Sequence, residues 1–408
     1  MKHAVILGGG VSGKAAQRLC RALGIDSVIL NDADAETLPP CDLVIASPGM
    51  HPLRSKLYKS ASASGVPMMG EMAFGFAHLA CPAVAVTGTN GKTTTTELTA
   101  ALLRALGLRV AACGNIGRPV SDVAAEVIEA GKELYDAAVI EVSSFQLELA
   151  ENFAPVAAAL LNLESDHIDR YAGGFAEYCQ VKRSIFDRVA IGNRVYGLSM
   201  PDACTRRVNI ADGTAYIDGA PFVELKDTRL GAPHNTENLA AALELVLRLR
   251  PDADRGKLAD GVRSFRPGAH RIEVVGVKNG VTFVNDSKGT NPAAVVAAVR
   301  SVKPPVVIML GGLGKGMDFS PLAALAPRLR AAVVYGEAKN VIGEVMRGAG
   351  VRTLDGGTDF TYAFELARRE ARPGDTVLLS PACASMDMFK NYEERGNAFR
   401  TLVQKTEE

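Results

Sequence analysis

Residues 84–94, with the sequence VAVTGTNGKTT, constrain the fold of this chain more than any other segment. A short apolar run enters a turn with two glycines, and a helix-favouring stretch follows at once. Glycines and a helix N-terminus expose backbone N–H groups that bind phosphate, while a lysine and a threonine hydroxyl can contact the outer phosphates and Mg²⁺. The order strand, turn and helix therefore predicts a buried sheet that carries a phosphate-binding loop.

The predicted ATP-binding residues of this loop are its seven consecutive members, among which Lys92 is also predicted to be catalytic. They are Gly88, Thr89, Asn90, Gly91, Lys92, Thr93 and Thr94. The full Walker pattern would have glycine at position 86, where this chain has Val86. An ordinary glycine turn is the alternative, but GKT follows the strand so directly that a phosphate loop is favoured.

Short β-branched runs alternate with longer segments rich in Ala, Leu, Lys and Arg, which predicts an α/β fold with parallel sheets. The runs are 4–7, 27–30, 43–46, 83–86, 138–142, 306–310, 332–335 and 376–379. A chain of 408 residues is long enough for two to four cores. Breaks near 69–75 and at Pro267-Gly268 predict three domains, which are 1–74, 75–266 and 267–408. Residues 193–230 are assigned no chemistry.

The charge balance argues against polyanionic partners. Lys plus Arg and Asp plus Glu each number 45, so no overall field attracts nucleic acid or an anionic membrane. There is no secretory signal pattern and no apolar run of about 18 residues. The seven cysteines show no metal-ligand spacing. We therefore expect a cytoplasmic protein that acts on small molecules, and separately we expect a monomer.

A second glycine motif, GGGVSG at residues 8–13, satisfies GxGxxG between a predicted strand and helix, and Asp32 follows the next strand. Alone, this pattern indicates an NAD-dependent oxidoreductase. A complete dinucleotide site usually needs two βαβαβ halves, and about 74 residues hold little more than one. A nucleoside diphosphate joined to another group fits better, and a turn that merely packs the helix on the strand stays open.

Glu141 ends an apolar run some fifty residues after the phosphate loop. Mg²⁺ commonly takes one or two carboxylates together with substrate phosphates, so Glu141 is a candidate ligand. A solvated charge or a helix N-cap partner is the alternative. The following segment 162–171, NLESDHIDRY, and the later Lys182 contain a histidine and a lysine that would usually lie at the surface.

These segments together resemble the Mur ligases and folylpolyglutamate synthetases. The similar motifs are TGTNGKT, EVSSFQLE, DHIDRY with Lys182, and HNTENLAAA at 234–242. NDSKGTNP at 285–292 and SPACASMDMFKNYEERGNAF at 380–399 resemble the D-glutamate-adding branch, whereas the DNPR signature of the diamino-acid-adding branch is absent. The resemblance implies a Rossmann-like N-terminal domain, a central P-loop ATPase domain and a Rossmann-like C-terminal domain.

The implied activity is ATP-dependent addition of D-glutamate to UDP-N-acetylmuramoyl-L-alanine through an acyl phosphate, in peptidoglycan precursor synthesis. Another amino-acid ligase of the same superfamily is the alternative. The resemblance implies that a set of residues binds the uridine diphosphate substrate. They are Gly10, Val11, Ser12, Asp32, Ser47, Gly49, Asn115 and His167.

The resemblance also implies two Mg²⁺ ions beside ATP. Thr93 and Glu141 would bind one ion, and His167 with a carbamylated Lys182 would bind the other. Glu141, His167 and Lys182 are thereby implied to be catalytic. Asn238, Arg271 and Asp286 match residues that contact ATP.

The implied D-glutamate-binding residues all lie in the C-terminal part of the chain. They are Lys288, Thr290, Lys315, Ser385, Met386 and Tyr392. The chain departs from the family at one of these residues and at one position near them. Leu313 stands where many relatives have an acidic residue, and Tyr392 stands where phenylalanine is common.

Overall fold

The computed structural model describes residues 2–166, 170–200, 206–231 and 233–406. It divides into two compact units, Met1–Arg266 and Pro267–Glu408. Within the first unit two parallel sheets occur, and its subdivision after residue 74 stays a prediction. In the described part of the chain, no helix is both long enough and apolar enough to cross a membrane.

The first sheet is parallel and has the strand order β2-β1-β3-β4. Its elements are β1 (His3–Leu7), α1 (Val11–Ala22), β2 (Asp26–Leu30), β3 (Leu43–Ala46), α2 (Lys56–Ala63), β4 (Met68–Gly70) and α3 (Glu71–Phe76). Strand β1 lies between β2 and β3. The chain passes from β1 to β2 on one side and then crosses to β3 on the other side, so the strand order reverses at β1. The carboxyl end of such a strand opens the crevice where α/β sheets bind ligands.

The second sheet of the first unit is also parallel, in the order β6-β7-β5-β8-β9. Its elements are β5 (Ala83–Thr87), α4 (Lys92–Ala105), β6 (Val110–Gly114), α5 (Val120–Ala130), β7 (Ala137–Glu141), α6 (Ser144–Leu147), β8 (Ala157–Leu160), α7 (Gly174–Arg183) and β9 (Arg194–Tyr196). Strands β5, β7 and β8 are buried throughout, which explains their continuous apolar sequences. The loop after β5 therefore opens at the middle of the sheet.

Residues 193–230, to which no chemistry was assigned, contain a small antiparallel sheet. It consists of β10 (Val208–Ala211), β11 (Thr214–Ile217) and β12 (Ala220–Glu224). Two helices follow, α8 (Pro233–Leu249) and α9 (Arg255–Ser264), and both pack against α4. These elements complete the apolar core on one face of the second sheet.

The second unit is built on one six-stranded sheet in the order β13-β14-β18-β15-β16-β17. Its elements are β13 (Glu273–Lys278), β14 (Val281–Asn285), α10 (Pro292–Ser301), β15 (Val306–Gly311), β16 (Leu329–Tyr335), α11 (Lys339–Gly348), β17 (Thr353–Asp355), α12 (Phe360–Glu370), β18 (Thr376–Ala382) and α13 (Tyr392–Lys405). All neighbouring strands are parallel except β13 and β14. The carboxyl ends of β14, β18 and β15 thus lie side by side. The predicted α/β class with parallel sheets is confirmed, and every predicted strand overlaps an observed one.

Candidate active site

The predicted phosphate loop connects β5 to α4. Gly91 precedes the helix with φ +83°, a left-handed conformation that glycine adopts readily. A Cβ atom on Gly91 would lie 2.3 Å from Oδ1 of Asn238, so a side chain would also clash there. The Lys92 ammonium donates to the carbonyl oxygens of Gly88 at 2.9 Å and Thr89 at 2.8 Å. The loop therefore wraps around the lysine at the N-terminus of α4.

The segment after β8 holds this loop from one side. Thr89 Oγ1 accepts from the backbone N–H of Glu164 at 2.9 Å and lies 2.8 Å from the Tyr178 hydroxyl. The Asn162 side chain accepts from the Asn90 N–H at 2.8 Å and donates to the Asn90 carbonyl at 3.2 Å. Sequence reasoning assigned no role to Asn162, Glu164 or Tyr178. Asn162 could have been identified from its position after the strand β8, because β8 runs parallel to β5 and the two strands end side by side.

Glu141 ends β7 beside the phosphate loop and is 2% exposed, so the solvated-charge alternative is wrong. The N-cap alternative is also wrong, because Ser143 and Gln146 form the capping box of α6. Oε1 of Glu141 accepts from the Asn115 amide at 2.7 Å. Among the described residues, buried Oε2 has no hydrogen-bond partner. A buried carboxylate oxygen without a partner suits a hard cation such as Mg²⁺.

Lys182 on α7 is 2% exposed, so the expectation of a surface lysine is wrong. Its Nζ donates to the Gly88 carbonyl at 3.0 Å and lies 3.4 Å from the Thr87 hydroxyl. Burial, followed by repulsion from Lys92, lowers the pKa of Lys182 well below its usual value. The neutral amine is therefore favoured more than in an exposed lysine.

His167, the other predicted ligand in this region, lies outside the described residues. Within the described ranges, no group of three or more His, Cys, Asp or Glu side chains could hold a metal ion. The predicted ligand set also uses the partly buried Thr93 and a modified Lys182. The complete set of metal ligands therefore stays a prediction.

The GxGxxG turn follows β1 at the switch point of the first sheet. Gly8 has φ +94°, and a Cβ atom on Gly13 would lie 1.9 Å from the Gly8 carbonyl oxygen. The Ser47 hydroxyl, which follows β3, donates to the same carbonyl at 3.0 Å. The glycines thus pack the helix closely on the strand. Gly10 and Val11 remain exposed at the start of α1.

Two other predicted substrate contacts also have structural partners. Asp32 Oδ1 accepts from the Ser55 hydroxyl at 2.7 Å and the Leu57 N–H at 3.1 Å, at the start of α2. Asn115 is exposed and donates to Glu141 in the second sheet. Asn31, which sequence reasoning missed, accepts from the Gly9 N–H at 2.8 Å. In the sequence, the position of Asn31 directly before the predicted substrate residue Asp32 could have identified it.

In the second unit, Arg271 and Asp286 lie close together. Asp286 is 6% exposed and accepts from the Ser380 hydroxyl at 2.7 Å. Burial raises its pKa to about 7, although Ser380, the Ile272 N–H and Arg271 oppose the shift. His270 and Ile272 have φ values of +65° and +49°, which is strained for a β-branched residue such as Ile272. Arg271 lies between these two residues. The third predicted ATP contact, Asn238, lies in the first unit, where Thr95 donates to it at 3.2 Å.

The predicted D-glutamate residues follow the neighbouring strands β14, β15 and β18. The Lys288 ammonium lies 3.9 Å from the centre of the Tyr392 ring. Leu313 exchanges two backbone hydrogen bonds with Ala384, at 2.9 and 3.2 Å, next to buried Ser385. The remaining predicted residues stand at the same edge and are less enclosed. They are half-buried Thr290, exposed Lys315 with φ +48°, and Met386, which is 58% exposed.

Arg395 on α13 joins these loops and was missed by sequence reasoning. Its side chain is fully buried and donates to the Ser287 hydroxyl at 3.0 Å, the Ser287 carbonyl at 2.8 Å and the Cys383 carbonyl at 3.1 Å. The loop after β14 is thereby fixed to the loop after β18. In the sequence this arginine lies in NYEERG, where its charged neighbours suggest a solvated helix.

Comparison with protein families finds two matches. Residues 86–209 match the Mur ligase middle domain. Residues 270–383 match the Mur ligase glutamate ligase domain. The two matches include the predicted phosphate loop and three of the six predicted D-glutamate residues, Lys288, Thr290 and Lys315.

Similar proteins extend over nearly the whole chain. A UDP-N-acetylmuramoylalanine--D-glutamate ligase of Pelotomaculum thermopropionicum is 36% identical, with 98% of this chain and 97% of that protein covered. The protein of the same name from Aromatoleum aromaticum is 38% identical, with 98% and 96% covered.

Solved structures share the fold at low identity. A pseudomurein peptide ligase type C from Methanothermus fervidus has a TM-score of 0.63 and 17% identity, with 99% of this chain and 100% of that chain covered. The UDP-N-acetylmuramate-alanine ligase from Thermotoga maritima has a TM-score of 0.62 and 16% identity, with both chains fully covered. A folylpolyglutamate synthase from Mycobacterium tuberculosis complexed with ADP has a TM-score of 0.59 and 18% identity, with 81% and 92% covered.

Proposed function

The chain belongs to the Mur ligase family and is an ATP-dependent ligase, and from this premise we propose that it adds D-glutamate to UDP-N-acetylmuramoyl-L-alanine. The observation that carries the choice of amino acid is the full-length similarity, at 34–38% identity, to relatives named for this reaction. The NDSKGTNP and SPACASMDMF segments support the choice, because they supply the polar groups at the edge of the six-stranded sheet.

The first half-reaction activates a carboxylate that is itself unreactive toward amines. The terminal carboxylate of the L-alanyl group attacks the γ-phosphorus of ATP, forms an acyl phosphate and releases ADP. Lys92 neutralises charge on the phosphates, and the loop N–H groups hold them in line. The protein contributes mainly orientation and electrostatic stabilisation.

Mg²⁺ would be held by Thr93 and Glu141, with a second ion held by His167 and carbamylated Lys182. The unpartnered, buried Oε2 of Glu141 fits this assignment. Mg²⁺ supplies charge neutralisation at the phosphate oxygens when bound. The lowered pKa of Lys182 supports the carbamate, because only a neutral amine attacks CO₂. The addition gives a carbamate anion and releases one proton.

The second half-reaction forms the amide. Lys288, Thr290, Lys315 and Ser385 bind the carboxylates of D-glutamate, while Tyr392 and Met386 contact its chain. The amine attacks the acyl carbon, the tetrahedral intermediate expels phosphate, and the amine loses a proton. Exclusion of water protects the acyl phosphate from hydrolysis.

The test is an amino-acid panel. Purified protein is incubated with ATP, Mg²⁺ and UDP-N-acetylmuramoyl-L-alanine, and phosphate release is measured with D-glutamate, L-glutamate, L-alanine, L-lysine or diaminopimelate. We expect release with D-glutamate alone. Release with another amino acid and none with D-glutamate would contradict the proposed specificity while leaving the ligase assignment intact.

A further inference from the structure

A buried arginine connects the first sheet to the phosphate-site sheet within the first unit. Arg170 is 7% exposed, and its side chain forms a two-pronged ion pair with Glu148 in which both N–O distances are 2.6 Å. The guanidinium also stacks 4.2 Å from the centre of the Phe145 ring. A planar guanidinium held on two sides has little freedom to move. Arg170 is therefore fixed to Phe145 in α6 and to Glu148, the residue after that helix.

The same guanidinium reaches the loop after β3. Its Nη2 donates to the carbonyl oxygen of Met50 at 3.0 Å. The Met50 N–H in turn donates to the Ser47 carbonyl at 3.0 Å, and the Ser47 hydroxyl donates to Gly8 at 3.0 Å. A continuous series of contacts thus runs from the GxGxxG turn to Arg170.

A small pocket lies along this series of contacts. Its lining includes Ser47, Met50, Tyr58, Phe145, Glu148 and Arg170. Because Glu148 neutralises Arg170, the guanidinium has no excess charge with which to recruit an anion. Nη2, which also bonds Glu148, directs its second N–H to a backbone carbonyl of the loop that contains the predicted substrate residues Ser47 and Gly49. The contacts therefore suit a role in placing that loop.

We propose that Arg170 is a positioning residue that sets the uridine diphosphate loop, residues 47–50, relative to the phosphate site. This inference rests on the proposed function, because it takes residues 47–50 to bind the nucleotide-linked substrate. The same polypeptide stretch continues into α7, which carries Lys182 beside the phosphate loop. Arg170 thus fixes the loop that holds one substrate to the segment that leads into the activating site.

The test replaces Arg170 with lysine, which keeps the charge but cannot bond to Glu148 and Met50 in one plane. We expect the Michaelis constant for UDP-N-acetylmuramoyl-L-alanine to rise roughly tenfold, since small displacements of a substrate are costly. The Michaelis constants for ATP and D-glutamate should stay within about twofold of wild type, because the lysine leaves their predicted contacts unchanged. Glu148→Gln should give the same selective rise, and the double variant should add little to either single change.

Arg18→Lys is the matched control. Arg18 also pairs with two carboxylates, Asp122 and Glu129, and joins α1 to α5, but it lies outside the residues 47–50 series. It should leave all three Michaelis constants unchanged. Equal rises for every substrate in Arg170→Lys, or an unchanged constant for the nucleotide-linked substrate, would overturn the inference. If Arg170→Lys does not fold, Glu148→Gln decides by the same criteria.

Wild-type activity separates this inference from the proposed function. If wild type uses another amino acid, the D-glutamate assignment fails, and the Arg170 comparison is made with that amino acid. If wild type uses D-glutamate and the variants show no selective change, only the role of Arg170 fails.

Discussion

The predicted phosphate site of the first unit and the predicted amino-acid site of the second unit differ in how deeply their side chains are buried. In the first, Glu141 and Lys182 are each 2% exposed, so their charged groups are poorly screened by water. In the second, Lys315 is exposed and Met386 is 58% exposed, so any ligand that they contact would lie in a more aqueous setting. Buried charge interacts strongly because it is poorly screened, whereas exposed charge contributes little. Changes at the phosphate site should therefore affect turnover, and changes at the amino-acid edge should affect binding.

The largest expected effect is at Lys182. Lys182→Ala should lower phosphate release about 1000-fold, because it removes the proposed anionic ligand from a buried site. Short carboxylic acids should restore part of the activity by entering the space that the side chain leaves. Lys132→Ala, at an exposed lysine, is the control and should retain full activity. A normal rate in Lys182→Ala would contradict the proposed role.

Glu141 should have the next largest effect. Glu141→Gln should reduce turnover roughly 100-fold and raise the Mg²⁺ concentration needed for half-maximal rate, since an amide is a weaker ligand than a carboxylate. A Mg²⁺ titration of initial rate measures both quantities. Exposed Glu151→Gln serves as the control. An unaltered Mg²⁺ dependence would remove Glu141 from the metal site.

Asp286 tests whether a buried ionisable group also affects the second unit, here through the pH dependence of the free energy of unfolding. Its pKa is raised from 3.8 to about 7 in the folded protein, so folding favours the protonated form. This stabilisation is complete below pH 3.8 and is lost as the pH rises through about 7. Between about pH 5 and 7, the free energy of unfolding should fall by about 2 kcal/mol.

Urea unfolding at several pH values measures this change. Asp286→Asn should remove that part of the pH dependence, whereas exposed Asp252→Asn should preserve it. The same slope in wild type and Asp286→Asn would show that Asp286 titrates normally.

The smallest expected effect is at Leu313, beside Ser385. Leu313→Asp should raise the Michaelis constant for D-glutamate about threefold, because a partly exposed carboxylate weakly repels an anionic amino acid. The constant for ATP should not change. Leu313→Asn controls for the loss of the apolar side chain, and equal constants in wild type and Leu313→Asp would place Leu313 away from the amino acid.

Much of the fold was predictable because it depends on local order. The apolar runs at 83–86 and 306–310 are strands, and a glycine turn follows the first of them, as predicted. The small sheet within residues 193–230 was not predicted, since its short strands carry mixed polar residues. Arg395 was missed because a charged residue in a polar helix usually faces water.

The sequence by itself determined the succession of strands, glycine turns and helices, and through its motifs it indicated a phosphate site and the family. These features can be predicted from the sequence because backbone conformation and hydrophobic pattern depend mainly on near neighbours. Only the tertiary structure decided that Lys182 is buried beside Lys92, that one oxygen of Glu141 has no partner among the described residues, and that Arg170 binds Met50. The physical reason is that burial and pairing depend on groups brought together from distant parts of the chain.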